Sequence, residues 1–168
     1  MKRAATASDL RLRNVRALVG LTELLGGLWS AYTTLALLNR FGGILRNLWF
    51  AAFALGFFTI VCLAGIMLLR GRESGVVLSY GVQAVQSVQI TFGSFALRFL
   101  AGPHLILAYF GGDDIRFFLG VTSAFNVLRS PADPSFGLGL NLAAFVFLGL
   151  LWWGSESPAN GGQSVTSQ

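Results

Sequence analysis

The feature that most constrains this chain is a long apolar run, residues 48–69, that contains no charged side chain. A helix needs about 20 consecutive apolar residues to cross a hydrocarbon core about 30 Å thick. Residues 17–38, with one charge at Glu23, and residues 76–97, with none, are of similar length, and residues 136–153 form a shorter run. The pattern predicts an all-α integral membrane protein in which these four segments are transmembrane helices in an antiparallel bundle.

Composition favours the same class of protein. Of the 168 residues, 54% are hydrophobic and 11% are charged, whereas an average soluble domain has about 25% charged residues. The net charge is +5, but the basic residues flank the predicted helices instead of forming one patch. We therefore expect them to contact anionic lipid head groups, which makes the lipid bilayer a partner and excludes nucleic acid.

The distribution of basic residues predicts how the helices are oriented. Residues 1–16 form a basic arm before the first predicted helix, with Lys2, Arg3, Arg11, Arg13 and Arg16. Because basic residues remain on the cytoplasmic side, this arm and, after four crossings, the C-terminus are predicted to be cytoplasmic. The first apolar run is too long for a cleaved signal peptide. Together with the small size and simple topology of the chain, this favours a bacterial inner (plasma) membrane, with eukaryotic membranes as the alternative. Residues 154–168 are small and polar and predict a disordered tail.

The segment between the third and fourth predicted helices, residues 98–135, is long but not hydrophilic. Two short apolar runs, residues 104–110 and 115–123, flank the sequence Gly-Gly-Asp-Asp. Glycine and aspartate between two such runs predict a small β-hairpin on the outer side of the membrane. Short re-entrant helices are the alternative, since neither run is long enough to span as a helix.

Three glutamines recur at every third position in the sequence GVQAVQSVQI, within the third predicted helix. At 100° per residue, Gln83, Gln86 and Gln89 share one broad arc with Ser79 and Ser87. The valines and phenylalanines of the segment lie on the opposite side. The predicted helix is therefore amphipathic inside the membrane, and its polar arc is expected to face protein.

The first predicted helix carries a matching stripe of small and polar residues. Gly20, Glu23, Gly27, Ser30 and Thr34 fall within about 80° of arc. Small residues allow a second helix to approach closely, so Gly20 and Gly27 are predicted to be helix-packing positions. Glu23 and Gln83 lie at matching depths, and a hydrogen bond from Glu23 to Gln83 or Gln86 is therefore predicted.

Few residues in this chain are suited to catalysis or metal binding. His104, Asp113 and Asp114 are weak candidates in the outer loop, because a hairpin would hold the aspartates several residue pairs away from the histidine. The single cysteine has no intrachain partner. We therefore predict no catalytic residue, no cofactor, no metal ion and no enzymatic activity.

The candidate functional site is an intramembrane polar cluster that comprises Glu23, Ser30, Gln83, Gln86, Ser87 and Gln89. The leading hypothesis is a structural or accessory membrane protein that associates with itself or with a larger membrane complex, and in which the amides join helices. The alternative is a proton or small-solute pathway centred on Glu23, because a carboxyl group within a membrane often marks such a pathway. An intramembrane enzyme that modifies lipid is a distant third.

Overall fold

The computed structural model describes residues 7–40, 48–92, 95–110, 114–121, 124–129 and 136–155. Within these ranges the chain forms helices and strands in separate blocks. The helices are α1 (Ala7–Arg40), α2 (Leu48–Leu69), α3 (Glu73–Ser87) and α4 (Leu142–Ser155). Between α3 and α4 lie β1 (Val88–Phe92), β2 (Phe95–Leu100), β3 (Pro103–Phe110), β4 (Asp114–Val121), β5 (Ala124–Arg129) and β6 (Gly137–Asn141).

The predicted all-α bundle of four transmembrane helices is wrong, because the fold is mixed α/β. By length and composition, one described helix could cross a membrane: α2, over Ala51–Leu69, with a mean hydropathy of 2.5 and 33% of that stretch buried inside the protein. Helix α1 is long, but glycine, serine, threonine and Glu23 interrupt its leucines. The multi-pass interpretation is therefore wrong, since the described helices include one candidate span.

The third predicted span, residues 76–97, changes from helix to strand near its middle. Helix α3 ends at Ser87, and Val88 has extended backbone angles, φ −119° and ψ 132°. The residues that follow, Val-Gln-Ile-Thr-Phe, are mostly β-branched or aromatic and favour a strand. They also have partners, since β1 pairs with β6 (Val88 with Leu140) and with β2 (Ile90 with Leu97).

The fourth predicted span, residues 136–153, is divided in a similar way. Its first part forms β6, in which buried and more exposed positions alternate. The remaining helix, α4, has 14 residues, fewer than the roughly 20 that a helix needs to cross a bilayer. Two of the apolar runs are thus shared between a short helix and a strand.

The strands form one antiparallel sheet with the order β4-β3-β6-β1-β2-β5. The predicted hairpin is present as β3 and β4, with Ala108 opposite Arg116, and the re-entrant-helix alternative is wrong. This hairpin is part of a six-stranded sheet instead of a small separate cap. Strand β6 lies between β3 and β1. It therefore joins the β3–β4 hairpin to a second hairpin formed by β1 and β2, although it follows both in the chain.

The sheet and the helices are linked through the two strands at its centre. Helix α3 leads directly into β1, and β6 leads directly into α4. Because β1 and β6 are neighbours, α3 and α4 lie side by side, while α2 packs against both α1 and α3. The core between the helices contains Phe58 and Val61 of α2 and Val82 of α3, each almost fully buried.

Several arginines lie together at the end of the helices opposite the sheet. The Arg16 guanidinium donates to the Gly71 carbonyl oxygen at 3.1 Å and pairs with Glu73 at 3.3 Å, while Arg11 lies 4.4 Å from the centre of the Trp153 ring. We call this region the basic end, and it comprises Arg11, Arg13, Arg16, Arg70 and Arg72. Its cytoplasmic location stays a prediction.

The predicted terminal segments fall largely beyond the described residues. Helix α1 begins at Ala7, so residues 7–16 of the predicted basic arm are helical. The first two residues of the predicted disordered tail, Gly154 and Ser155, are the end of α4. The remainder of the tail, from residue 156 onward, lies outside the part of the chain that the structure describes.

Candidate functional site

Two polar stripes, one on α1 and one on α3, are buried inside the protein. On α1, Glu23 is 2% exposed and Ser30 is fully buried. On α3, Ser79, Gln83 and Gln86 are buried as well. As predicted, the polar face of each helix points toward the protein interior. Most of the large apolar side chains of the two helices lie on other faces.

Glu23 is held by two side chains of α3. The Ser79 hydroxyl donates a short hydrogen bond to Glu23 Oε1, and Gln83 Nε2 donates to the same oxygen at 2.9 Å. The predicted hydrogen bond between Glu23 and Gln83 is therefore confirmed. We call Glu23, Ser79 and Gln83 the carboxyl cluster.

Ser79 is a contact of Glu23 that the sequence does not predict. The helical spacing puts Ser79 on the polar arc of the third predicted helix without indicating its partner. Its spacing of four residues from Gln83 puts both side chains on one face of α3, and that spacing is the signal that could have identified it.

The carboxyl group of Glu23 lies in an environment that disfavours its charged form. Burial raises the pKa of Glu23, and the hydrogen bonds from Ser79 and Gln83 lower it by a smaller amount. Desolvation acts in this direction because removal from water penalises the charged form of an acid. The second oxygen, Oε2, is buried and has no hydrogen-bond partner among the described residues. A group of this kind can hold a proton inside the protein.

The remaining glutamines, Gln86 and Gln89, lie outside the carboxyl cluster. Gln86 is not hydrogen-bonded to Glu23: its Oε1 accepts a hydrogen bond from the Ala101 backbone N–H at 3.2 Å, and its Nε2 has no partner in the described part of the chain. This bond links α3 to the segment between β2 and β3. Gln89 was predicted to lie on a helix but lies in β1, where a Cβ atom added to Gly139 of β6 would be 3.2 Å from the Gln89 Cβ.

The two serines of the predicted cluster are also separate from Glu23. The Ser87 hydroxyl donates to the Ala84 carbonyl oxygen at 2.7 Å within α3, which is a local bond at the helix end. Ser30 Oγ, Gln86 Nε2 and Gln89 Nε2 are buried without a partner among the described residues. The predicted set of six residues therefore does not form one site, although Glu23 and Gln83 do.

The glycines of α1 are close-packing positions, as predicted. A Cβ atom on Gly20 would lie 2.9 Å from the Gly65 carbonyl oxygen, and one on Gly27 would lie 2.6 Å from Cys62 Sγ. Gly65 of α2 is a further close-packing position, which the sequence analysis does not predict. An added Cβ there would be 2.5 Å from the Gly20 carbonyl oxygen. These reciprocal contacts bring the backbones of α1 and α2 together. Glu23, on the same helix, contacts α3 and is buried from solvent.

The weak outer-loop candidates do not converge on one point. His104 is buried in β3 opposite Gly120 of β4, and its Nδ1 lies 3.3 Å from the Gly102 carbonyl oxygen. Asp114 pairs with Phe110 at the other end of the same hairpin, roughly 20 Å away at 3.3 Å per strand residue. Asp113 lies outside the described residues. His104 and Asp114 therefore do not form a metal site.

Comparison of the chain with protein-family models, with curated proteins and with solved structures found no match. Two features of the described residues bear on function. The first is the buried carboxyl cluster, and the second is the large amount of apolar surface left exposed on the helices and on the edge of the sheet.

Proposed function

We propose that the protein is a structural or accessory membrane protein, with α2 as its membrane-spanning segment. Support comes from the exposed apolar surface of neighbouring helices. On α1, the side chains of Leu18, Leu25 and Leu28 are more than half exposed, and Phe53 of α2 is 65% exposed. Contiguous apolar patches larger than several hundred Å² are unusual on soluble monomers and mark contacts with lipid or protein.

The basic end fits the head-group layer of such a membrane. Arg11 lies against the ring of Trp153, and the side chains of Trp152 and Trp153 are at least half exposed. Tryptophan is enriched where hydrocarbon meets water, and arginine is favoured near anionic lipids on the cytoplasmic side. The proposed arrangement therefore has the basic end at the cytoplasmic surface.

The main support for the accessory role is the exposed apolar surface of strand β4. Among the described strands it forms one edge of the sheet, because it pairs with β3 and is the first strand in the sheet order. Ile115, Phe117 and Leu119 are 62%, 69% and 85% exposed. An exposed apolar edge strand is a template for another strand, through backbone hydrogen bonds and apolar contacts. We therefore assign β4 as the surface through which the protein associates with a second copy or with a larger complex.

Lysine substitutions on β4 test this assignment. The double substitution Phe117→Lys and Leu119→Lys is expected to abolish association and to leave stability within about 0.5 kcal/mol, because both side chains are exposed. The measurement is the particle mass in a mild detergent by light scattering, combined with mass spectrometry of co-purifying proteins. The control is Ile90→Lys, which changes an exposed apolar residue on an interior strand. A wild-type protein recovered as a lone monomer would overturn the proposal.

A second candidate function is a proton or small-solute pathway that includes the carboxyl cluster. It is favoured by Glu23 Oε2, which is buried and has no hydrogen-bond partner in the described part of the chain, since a buried carboxyl group is a common relay group in membrane proteins. Reconstituted protein would then pass protons across a vesicle membrane, and Glu23→Gln would stop the flux. Equal flux for wild type and Glu23→Gln would rule this candidate out and leave the accessory role in place.

A further inference from the structure

An apolar groove with a volume of about 700 Å³ runs between α2 and α3, on the side away from Glu23. Its lining is almost wholly carbon. The lining residues include Phe57, Ile60 and Met67 of α2, and Val77, Gly81 and Val85 of α3. We propose that this groove binds one acyl chain of an anionic phospholipid, whose head group lies at the turn between the two helices.

The length of the groove suits an acyl chain in one leaflet. The lining positions on α3 extend from Ser74 to Val85, a rise of about 16 Å at 1.5 Å per residue. One leaflet contributes about 15 Å, half of a hydrocarbon core about 30 Å thick. An extended chain inserted from the α2–α3 turn would therefore be covered along most of its length.

The charge at one end of the groove selects the head group. Arg70 and Arg72 are exposed in the turn from which both helices leave, and Ser74 is the polar lining residue closest to that turn in the sequence. Glu73 is the acidic residue of the turn, and its carboxylate is paired with Arg16. The turn therefore retains a net positive charge. This favours a lipid head group that contains a phosphodiester and carries no positive charge of its own.

Gly81 keeps the groove open. A Cβ atom added there would have no heavy atom within 4 Å, so the position faces free space along the groove. Glycine within a helix costs about 1 kcal/mol relative to alanine, and no packing contact at Gly81 requires it. A larger side chain at this lining position would therefore project into the groove.

Filling the groove is the first arm of the test. Gly81→Leu is expected to weaken the binding of phosphatidylglycerol about tenfold or more, because the added side chain occupies the space of several methylene groups. Val85→Trp, at a half-exposed lining position, is a second filling variant in case the first does not fold. Gly149→Leu is the matched control, since a Cβ at this position on α4 also has no neighbour within 4 Å.

The measurement is a titration of the detergent-purified full chain with phosphatidylglycerol, read by native mass spectrometry, with thermal melting to check each variant. Binding by wild type and Gly149→Leu, but not by the filling variants, supports the proposal. Equal binding by folded Gly81→Leu and by wild type would overturn it.

The second arm tests the head group. Phosphatidylcholine with the same acyl chains is expected to bind about tenfold more weakly than phosphatidylglycerol, and the double substitution Arg70→Gln and Arg72→Gln should remove that difference. Equal binding of both lipids by wild type would overturn the assignment to an anionic lipid.

This inference rests on the proposed membrane location, and fractionation of cells separates the two. Wild type in the membrane fraction together with unaltered lipid binding by Gly81→Leu would overturn the groove alone. Wild type outside the membrane fraction would overturn the proposed location as well.

Discussion

Replacing Gly65 with alanine is expected to destabilise the protein by about 2 kcal/mol, although the same change stabilises most helices. The added Cβ would lie 2.5 Å from the Gly20 carbonyl oxygen and 2.7 Å from the Leu24 backbone nitrogen. Both are backbone atoms, which cannot rotate away, so α1 and α2 must move apart. Overpacking of this kind typically costs about 1–3 kcal/mol and outweighs the gain of about 1 kcal/mol in helix propensity.

The matched control for this prediction is Gly56→Ala on the same helix. Gly56 is exposed, and an added Cβ would meet no heavy atom within 4 Å. Alanine there should stabilise the protein by about 0.5–1 kcal/mol through helix propensity alone. Thermal unfolding of both variants in one detergent gives the comparison, and equal stabilisation by the two substitutions would show that α1 and α2 do not meet at Gly65.

Removing the carboxyl group of Glu23 is expected to have a similarly large effect on stability. Glu23→Ala leaves the hydroxyl of Ser79 and the amide of Gln83 without their acceptor in a buried site, and each such group costs about 1–3 kcal/mol. Glu23→Gln retains an oxygen in the position of Oε1 and should be less destabilising. The unfolding temperatures of the two variants test this order, and equal losses would indicate that the hydrogen bonds contribute little.

The stability of the carboxyl cluster should also depend on pH. Burial raises the pKa of Glu23 above its ordinary value of 4.5, so between the two pKa values the folded protein binds a proton that the unfolded chain has lost. The free energy of unfolding therefore decreases as the pH rises through this window. The stabilisation that comes from the bound proton is fully present only below the pKa of Glu23 in the unfolded chain.

Glu23→Gln lacks this titration and supplies the control. The unfolding temperature of wild type minus that of Glu23→Gln should decrease as the pH rises from about 4 to about 8. A difference that stays constant, or that increases with pH, would contradict the raised pKa.

Part of the candidate site could be predicted because it depends on local geometry. The 100° step of a helix brings Gln83 and Ser79 to one face of α3, and the same step aligns Gly20, Glu23 and Gly27 on α1. The partner of Gln86 could not be predicted in this way. It is the backbone of Ala101, which reaches α3 only because β2 reverses the direction of the chain.

The switch at Val88 explains why the predicted bundle was wrong. The sequence GVQAVQSVQI has no charge, glycine pair or proline where the helix ends, so a count of apolar residues continues through it. The strand is favoured there because Val88 and Gln89 find partners in Leu140 and Gly139, about fifty residues later in the chain. Side-chain periodicity does not report pairing between such distant segments.

The sequence by itself determined the features that arise within a single segment. These are the apolar helix α2, the polar faces of α1 and α3, and the hairpin of β3 and β4, all set by local hydrophobic pattern and turn residues. Tertiary structure alone decided that β6 joins two hairpins into one sheet, that Gly65 meets Gly20, and that Gln89 lies on a strand. The physical reason is that hydrogen bonds between strands and close contacts between helices connect residues far apart in the chain, and their free energy can override the preference of each segment for helix.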